Sequence, residues 1–271
     1  MRRREFIWQA SSFVLILADG KLLRAADAPN PNHKKPILRF AVASDGHYGQ
    51  KDTEYESFFS QLTESINREH RRKAFEFCVI NGDIIHDDKS FYPAARNALN
   101  KLEPKYYVSQ GNHDKVTAEE WKNIWQMPVN LDFTVKDNAV LIGTTSNEQG
   151  TYLCPDLDWF AQKLERYKNH KNIFIFIHIN PGKQTKNAVD CPPFFELLAK
   201  HKNVKAIFNG HDHDVDDIKT KEGVPFIFDA HFGGNWGTSY RGFRIVELYK
   251  DNSLLTYILN PTQKLNEQTL K

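Results

Sequence analysis

The chain is predicted to fold as an α/β protein in which two mixed β-sheets pack face to face with flanking helices, a four-layer sandwich. Two observations predict it. Between residues 37 and 208, short apolar runs alternate with stretches of helical spacing, the pattern of strands joined by helices. From 215 to 260 the pattern turns β-rich, with turns at Glu222-Gly223, Gly233-Gly234 and Asp251-Asn252. With 271 residues, the chain suits one generous α/β domain or two small ones, and can bury a real core. We read 37–271 as a single domain.

Residues 1–28 have the outline of an export signal: Arg2, Arg3 and Arg4, an apolar stretch over 13–18 and a closing Ala26-Asp27-Ala28. The order Arg3-Arg4-x-Phe6-Ile7 resembles a twin-arginine signal, although Arg2 stands where Ser or Thr is usual and Asp19-Gly20 interrupts the apolar part. The resemblance implies a periplasmic or otherwise exported protein; an amphipathic helix opening a cytoplasmic protein is the alternative. Residues 29–36, rich in Pro, Asn and Lys, read as a linker, and His33 within it is a poor ligand.

Within the domain, strands are expected over 37–43, 75–80, 106–108, 173–177 and 204–208. Helices are expected over 53–74, 93–102, 118–125, 155–167 and 194–201. In the first helix Tyr55, Phe58, Phe59, Leu62 and Ile66 keep helical spacing. The runs 131–135 and 139–144 flank Asp137-Asn138 and suit a hairpin. Trp121 and Trp125, four residues apart on one helix face, read as core.

Composition narrows the function. Hydrophobic content of 40% with 26% charge is ordinary for a soluble protein, and no run approaches the roughly 20 apolar residues of a membrane span. Setting aside the five Lys/Arg and three Asp/Glu of residues 1–28 leaves 31 of each sign from the 36 and 34 of the whole chain. A neutral body argues against binding a nucleic-acid polymer through phosphate neutralisation. The 3 cysteines form no CxxC pair. Cys78 lies in a strand-like run and reads as buried; a Cys154–Cys191 bridge is compatible with an oxidising compartment and is left open by the sequence.

The chemistry lies at strand ends. Asp45-Gly46-His47, Gly82-Asp83, Gly111-Asn112-His113-Asp114, His178 and Gly210-His211-Asp212-His213 each follow an apolar run, where sites form in α/β folds. Together they offer Asp45, His47, Asp83, Asn112, His178, His211 and His213, an O/N set without thiolate that suits Zn, Mn or Fe. Seven donors exceed one tetrahedral ion and suffice for two if one carboxylate bridges.

These blocks, in this order, resemble the calcineurin-like metallophosphoesterases from about residue 37 to 213, and the tail resembles that family's second sheet. The resemblance implies two transition-metal ions. Asp45, His47 and His213 would hold the first, Asn112, His178 and His211 the second, and Asp83 would bridge. His113 would be the general acid, an imidazole being suited to proton transfer near neutral pH, with Asp114 orienting it. The implied reaction is in-line attack on phosphorus by a metal-bridging hydroxide.

A phosphodiester of a small molecule, such as a cyclic nucleotide or glycerophosphodiester, is the expected substrate. A broad phosphomonoesterase, a nucleotide pyrophosphatase or a non-catalytic metal-binding scaffold are the alternatives. At His86 the Tyr of purple acid phosphatases is missing, which argues against a purple ferric centre. His86 reads equally as facing the site or as a solvent-exposed loop residue. Ile179 replaces the second His of the family's usual pair, and Asp212 should point away from the ions. His231 reads as more structural than functional, and Trp236 is open between an aromatic lip and a loop residue. His70, His170 and His201 fall near helix C-termini and receive no function.

Overall fold

A computed structural model describes residues 16–18, 21–23, 35–260 and 263–270. The expected export signal and linker lie outside the described residues, apart from 35–36 and the short strands β1 (Ile16–Ala18) and β2 (Lys21–Leu23), which pair with each other. The remaining strands are β3 (Leu38–Ala43), β4 (Phe77–Asn81), β5 (Tyr106–Ser109), β6 (Leu131–Val135), β7 (Asn138–Gly143), β8 (Asn172–Ile177) and β9 (Val204–Asn209). The C-terminal part adds β10 (Ile218–Lys221), β11 (Val224–Phe228), β12 (Phe243–Leu248), β13 (Leu254–Asn260) and β14 (Gln263–Leu270). Helices are α1 (Tyr55–Arg72), α2 (Tyr92–Leu99), α3 (Ala118–Trp125), α4 (Leu157–Arg166) and α5 (Pro192–Leu198).

Two six-stranded mixed sheets result, ordered β14-β13-β12-β3-β4-β5 and β10-β11-β9-β8-β7-β6. In the first, β3-β4-β5 run parallel; in the second, β7, β8, β9 and β11 do. The alternation of side chains along a strand builds the layers. Leu38, Phe40 and Val42 of β3 face the second sheet, where Phe174, Phe176 and Phe208 meet them. Phe40 is central: its ring stacks on Phe77 at 4.8 Å and meets Phe174 and Phe208 edge-on at 5.3 and 5.6 Å.

The opposite face of β3 carries Ala41 and Ala43, small enough to admit Phe59, Leu62 and Ile66 of α1. The same cluster holds Tyr92 of α2 and Trp121 and Trp125 of α3, so the two indoles are core as expected. On the second sheet Ile173, Ile175 and Ile177 of β8 pack beneath Phe160 and Leu164 of α4 and Phe194 and Leu198 of α5. Local chemistry sets the helix starts. Thr117 and Glu120 form a capping box at α3, and the Asp156 side chain accepts from the Trp159 backbone N–H at 3.0 Å at α4.

Three expectations need correction. The tail is not the second sheet: β10 and β11 extend the β9 edge, while β12, β13 and β14 extend the β3 edge. The β12-β13-β14 meander adds antiparallel to β3, whereas the β10–β11 hairpin adds through β11, which runs parallel to β9. Strand β14 was not anticipated, because its sequence QKLNEQTL is polar and lies on a sheet edge. The β6–β7 hairpin turns at Lys136-Asp137, since Val135 pairs with Asn138.

Cys154 and Cys191 form a disulfide that ties the segment before α4 to the start of α5, while Cys78 is free and buried. The bridge closes a loop of sequence separation 37. Replacing both cysteines by Ser is therefore expected to lower the unfolding free energy by about 4 kcal/mol. Denaturant melts of the oxidised pair of proteins read this directly, and coincident midpoints would mean the bridge contributes nothing. Among the described residues, no helix is long and apolar enough to cross a membrane.

Candidate metal centre

Strands β3 and β4 are neighbours in one sheet and β8 and β9 in the other, and the loops at their C-terminal ends meet. Backbone bonds zip those loops together. Asp45 N–H donates to the Gly82 carbonyl at 3.1 Å, His47 N–H to that of Asp83 at 2.9 Å, and Gly210 N–H to that of His178 at 3.0 Å. The approach is too close for larger residues at two points. A Cβ on Gly210 would overlap Ser44 Oγ, and one on Gly111 would overlap Asp83 Oδ1. The turns also force left-handed backbone at Asp45 (φ 59°), His47 (φ 46°), Asp83 (φ 50°) and His211 (φ 67°).

The result is two adjoining donor groups. Asp45, His47 and His213 each offer an atom within 4.8 Å of the others, and Asp83, His178 and His211 do the same. In the first, His213 Nε2 lies 3.1 Å from Asp45 Oδ1 and 3.0 Å from His47 Nε2. In the second, His178 Nε2 lies 3.1 Å from Asp83 Oδ2. That same Asp83 oxygen is 3.8 Å from His47 Nε2, which puts it between the groups, where a bridging carboxylate belongs.

The donor set fits a pair of cations. Buried polar atoms are almost always hydrogen-bonded, yet His178 Nε2, His211 Nε2 and Asn112 Oδ1 are buried without a hydrogen-bond partner. Although His178 Nε2 is close to Asp83, the pair lacks hydrogen-bonding geometry. These three atoms belong to the residues expected to hold the second ion; His211 Nε2 and Asn112 Oδ1 have free lone pairs, and His178 Nε2 offers one on losing its proton. Transition metals with O/N preference match such a set.

Charge follows the same logic. Burial pushes His47 down to about 3 and His211 down to about 4, keeping both rings neutral as ligands must be. At His178 burial acts the same way, but the Asp83 and Asp45 carboxylates outweigh it and lift the group to about 10. Asp45 and Asp83 are held far below the usual carboxylate range, because neighbouring imidazoles outweigh burial. To hold a cation, His178 would give up its Nε2 proton, whose place beside the Asp83 and Asp45 carboxylates the ion would take.

His113 stands at the mouth of this site. Its backbone N–H donates to Asp83 Oδ1 at 2.8 Å, and its ring lies 4.9 Å from that of His47. The carboxylate at its ring is Asp87, whose Oδ1 is 3.0 Å from His113 Nδ1 and 2.7 Å from Lys115 Nζ. Asp114 does not orient His113, contrary to the sequence expectation. It is fully buried and accepts the backbone N–H groups of Ile84 (3.0 Å), Ile85 (3.2 Å) and Gly111 (2.8 Å), clamping the Asp83 loop to the Asn112 loop. Burial and the Asp83 charge raise its carboxyl to about 7.

The remaining candidates also find places. His86 is not a free surface residue: its Nδ1 lies 3.0 Å from His47 Nδ1. His231 is buried and structural, stacked on His213 with its ring nitrogens 2.5 and 3.2 Å from the carbonyls of Gly233 and Thr238, to one of which a neutral ring donates. Asp212 turns away from the ions, accepting from Thr185 Oγ1 at 2.7 Å and Asn187 Nδ2 at 3.3 Å. Trp236 lies flat on His213 at 4.2 Å and 10°. Sequence reasoning passed over Asp87 and Tyr152, the latter meeting His211 edge-on at 4.8 Å. Asp87 gave only the hint that it follows Asp83 in one loop, and Tyr152 only that it sits two residues before Cys154.

The buried carboxylate–imidazole groups at the strand ends of this two-sheet sandwich could hold two ions. Residues 38–215 match the family described as calcineurin-like phosphoesterase. The chain belongs to that family and is a hydrolase acting on phosphoric ester bonds. No curated protein matches it in sequence. Among solved structures, a dimetal phosphatase from Danio rerio superposes with a TM-score of 0.68 at 14% identity, covering 88% of this chain and 99% of that one. The inner-membrane-complex anchor GAP50 of Plasmodium gives 0.63 at 15% identity, with 88% and 89% covered. A 5'-nucleotidase from Candida albicans gives 0.55 at 12% identity, with 89% and 52% covered. At these identities the likeness is one of fold.

Proposed function

We propose that this protein is an exported phosphodiesterase of small molecules, working with two ions drawn from Fe, Mn and Zn, with residues 37–271 as one domain. The observation that carries the diester reading is the rim. Among the described residues, the exposed large apolar side chains are Tyr152, Leu153 and Trp236. Trp236 covers His213 beside the first donor group, and Tyr152 abuts His211 beside the second. A phosphodiester carries two organic substituents, and this centre has one apolar lip on each side to receive them. The Cys154–Cys191 bridge and the arginine-led N-terminus support export to an oxidising compartment.

Bound ions supply polarisation of the phosphoryl oxygens and a water of lowered pKa. The chain's own residues do the rest. Asp83, held by the His113 backbone N–H, fixes the spacing between the two donor groups. Asp87 accepts a hydrogen bond from His113 Nδ1–H, which stays on the ring, so that Nε2–H is the group that hands a proton to the departing ester oxygen. Trp236 and Tyr152 shield the substituents from water.

Turnover of bis-p-nitrophenyl phosphate, p-nitrophenyl phosphate and cyclic nucleotides under Mn, Zn and Fe tests the proposal. The diesters should show the higher kcat/KM. Trp236→Ala should lower it about tenfold, the worth of one aromatic contact. A preference for the monoester would make the protein a phosphomonoesterase instead. No turnover with both ions bound would make it a metal-binding scaffold.

A further inference from the structure

We infer that His86 is a positioning residue: it accepts the Nδ1 proton of His47 and thereby commits His47 Nε2 to the first ion. The inference rests on the reading of His47 as a ligand. It follows from where the ring protons of the cluster go.

A neutral imidazole carries one proton and one lone pair, on different nitrogens. His178 Nδ1 lies 2.7 Å from the Asn81 carbonyl, and His213 Nδ1 lies 3.2 Å from the Trp236 carbonyl. A carbonyl only accepts, so both rings keep their proton on Nδ1 and offer the Nε2 lone pair. Those Nε2 atoms sit 3.1 Å from Asp83 and Asp45 respectively, on the side of the ions. His47 Nε2 faces the same space, 3.0 Å from His213 Nε2. Its proton therefore also belongs on Nδ1, but no carbonyl stands there. The partner is His86 Nδ1 at 3.0 Å, and it must present its lone pair, leaving its own proton on Nε2.

The position of His86 is built. Its backbone N–H donates to the Tyr48 carbonyl at 2.9 Å, and Tyr48 N–H returns a bond to Ile84 at 2.9 Å, so the His47 and His86 loops are laced together. Its ring stacks on His113 at 4.7 Å and 13°, which fixes the plane in which Nδ1 can accept. The loop from Asp83 to Asp87 thus supplies three services: the bridging carboxylate, the acceptor behind His47 and the acceptor behind His113.

The rings of His47, His86 and His113 also lie close enough to hold a further cation. Neutral His47 has a single lone pair, and it cannot serve that cation through Nδ1 and the first ion through Nε2 at once. The orientation of His47 Nε2 decides for the first ion.

His86→Phe keeps the stacked ring and removes the acceptor; His86→Asn restores an acceptor close to the Nδ1 position. Binding of Mn and Zn to the full chain, followed by chelator competition and metal analysis, reads the effect without any substrate. In His86→Phe one of the two ions should bind 10- to 100-fold more weakly, the usual cost of losing a partner behind a ligand, with the other ion within about twofold. His86→Asn should recover to within about threefold of the native protein. Native-like binding of both ions by His86→Phe would overturn the inference, as would equal impairment of the Asn and Phe variants. A stoichiometry of three ions falling to two in both variants would overturn it too, by making His86 a ligand. Failure of the native chain to bind two ions would instead strike the underlying reading of the centre.

Discussion

Asp83→Ala is expected to leave the protein with neither ion and without measurable turnover. The Asp83 carboxylate reaches both donor sets, 3.1 Å from His178 Nε2 and 3.8 Å from His47 Nε2, and Asp45 Oδ1, 3.7 Å from His178 Nε2, is the other carboxylate near both. Removing it also takes away the charge that stabilises the imidazolium of His178, and it frees the His113 backbone N–H. Each remaining group would have to hold a divalent ion with less charge and no partner ion beside it. Metal analysis after dialysis should show both ions gone, and diester turnover should fall to background. Retention of one ion per chain would show that Asp83 serves a single site and does not bridge.

His113→Ala should behave in the opposite way, keeping both ions while kcat falls by roughly 10²–10⁴-fold. The bond from residue 113 to Asp83 is made by the backbone N–H, which Ala retains, so the bridge stays in place. Only the imidazole is lost, and with it the proton for the departing oxygen. KM should change little, because the ring lies at the mouth and not on the apolar lips. Loss of ions in this variant, or unchanged kcat, would remove His113 from the role given to it. Asp87→Asn should follow the same pattern with a smaller loss, since Asp87 acts on substrate only through His113.

The sequence revealed the site better than it revealed the site's surroundings. Ligands announce themselves jointly: each Asp–Gly or Gly–Asp taken alone is an ordinary turn, and five such blocks in order at strand ends are not. The groups that orient them leave no such mark. The acceptors behind His178 and His213 are backbone carbonyls of Asn81 and Trp236, which any residue would supply. Asp87 and His86 are ordinary loop residues until the fold sets His113 and His47 beside them. Asp114 shows the limit most plainly. Its place next to His113 in sequence suggests partnership, but adjacent residues of a tight loop point different ways, and its carboxylate turns inward to three backbone donors. In the fold, strands with apolar runs were legible and their sheet membership was not, because hydrogen-bonded partners far apart in sequence decide it. The polar edge strand β14 had no apolar pattern to betray it.

The left-handed backbone at Asp45, His47, Asp83 and His211 carries a further consequence. Each such non-glycine residue costs the folded chain about 1 kcal/mol or more. Four of the expected ligand positions are therefore also points where the chain is working against its own conformational preference. Glycine would relieve that backbone strain at each of the four places and would remove the donor with it. That these four residues are Asp and His shows a molecule that has given up some robustness to keep its ion-holding loops in shape.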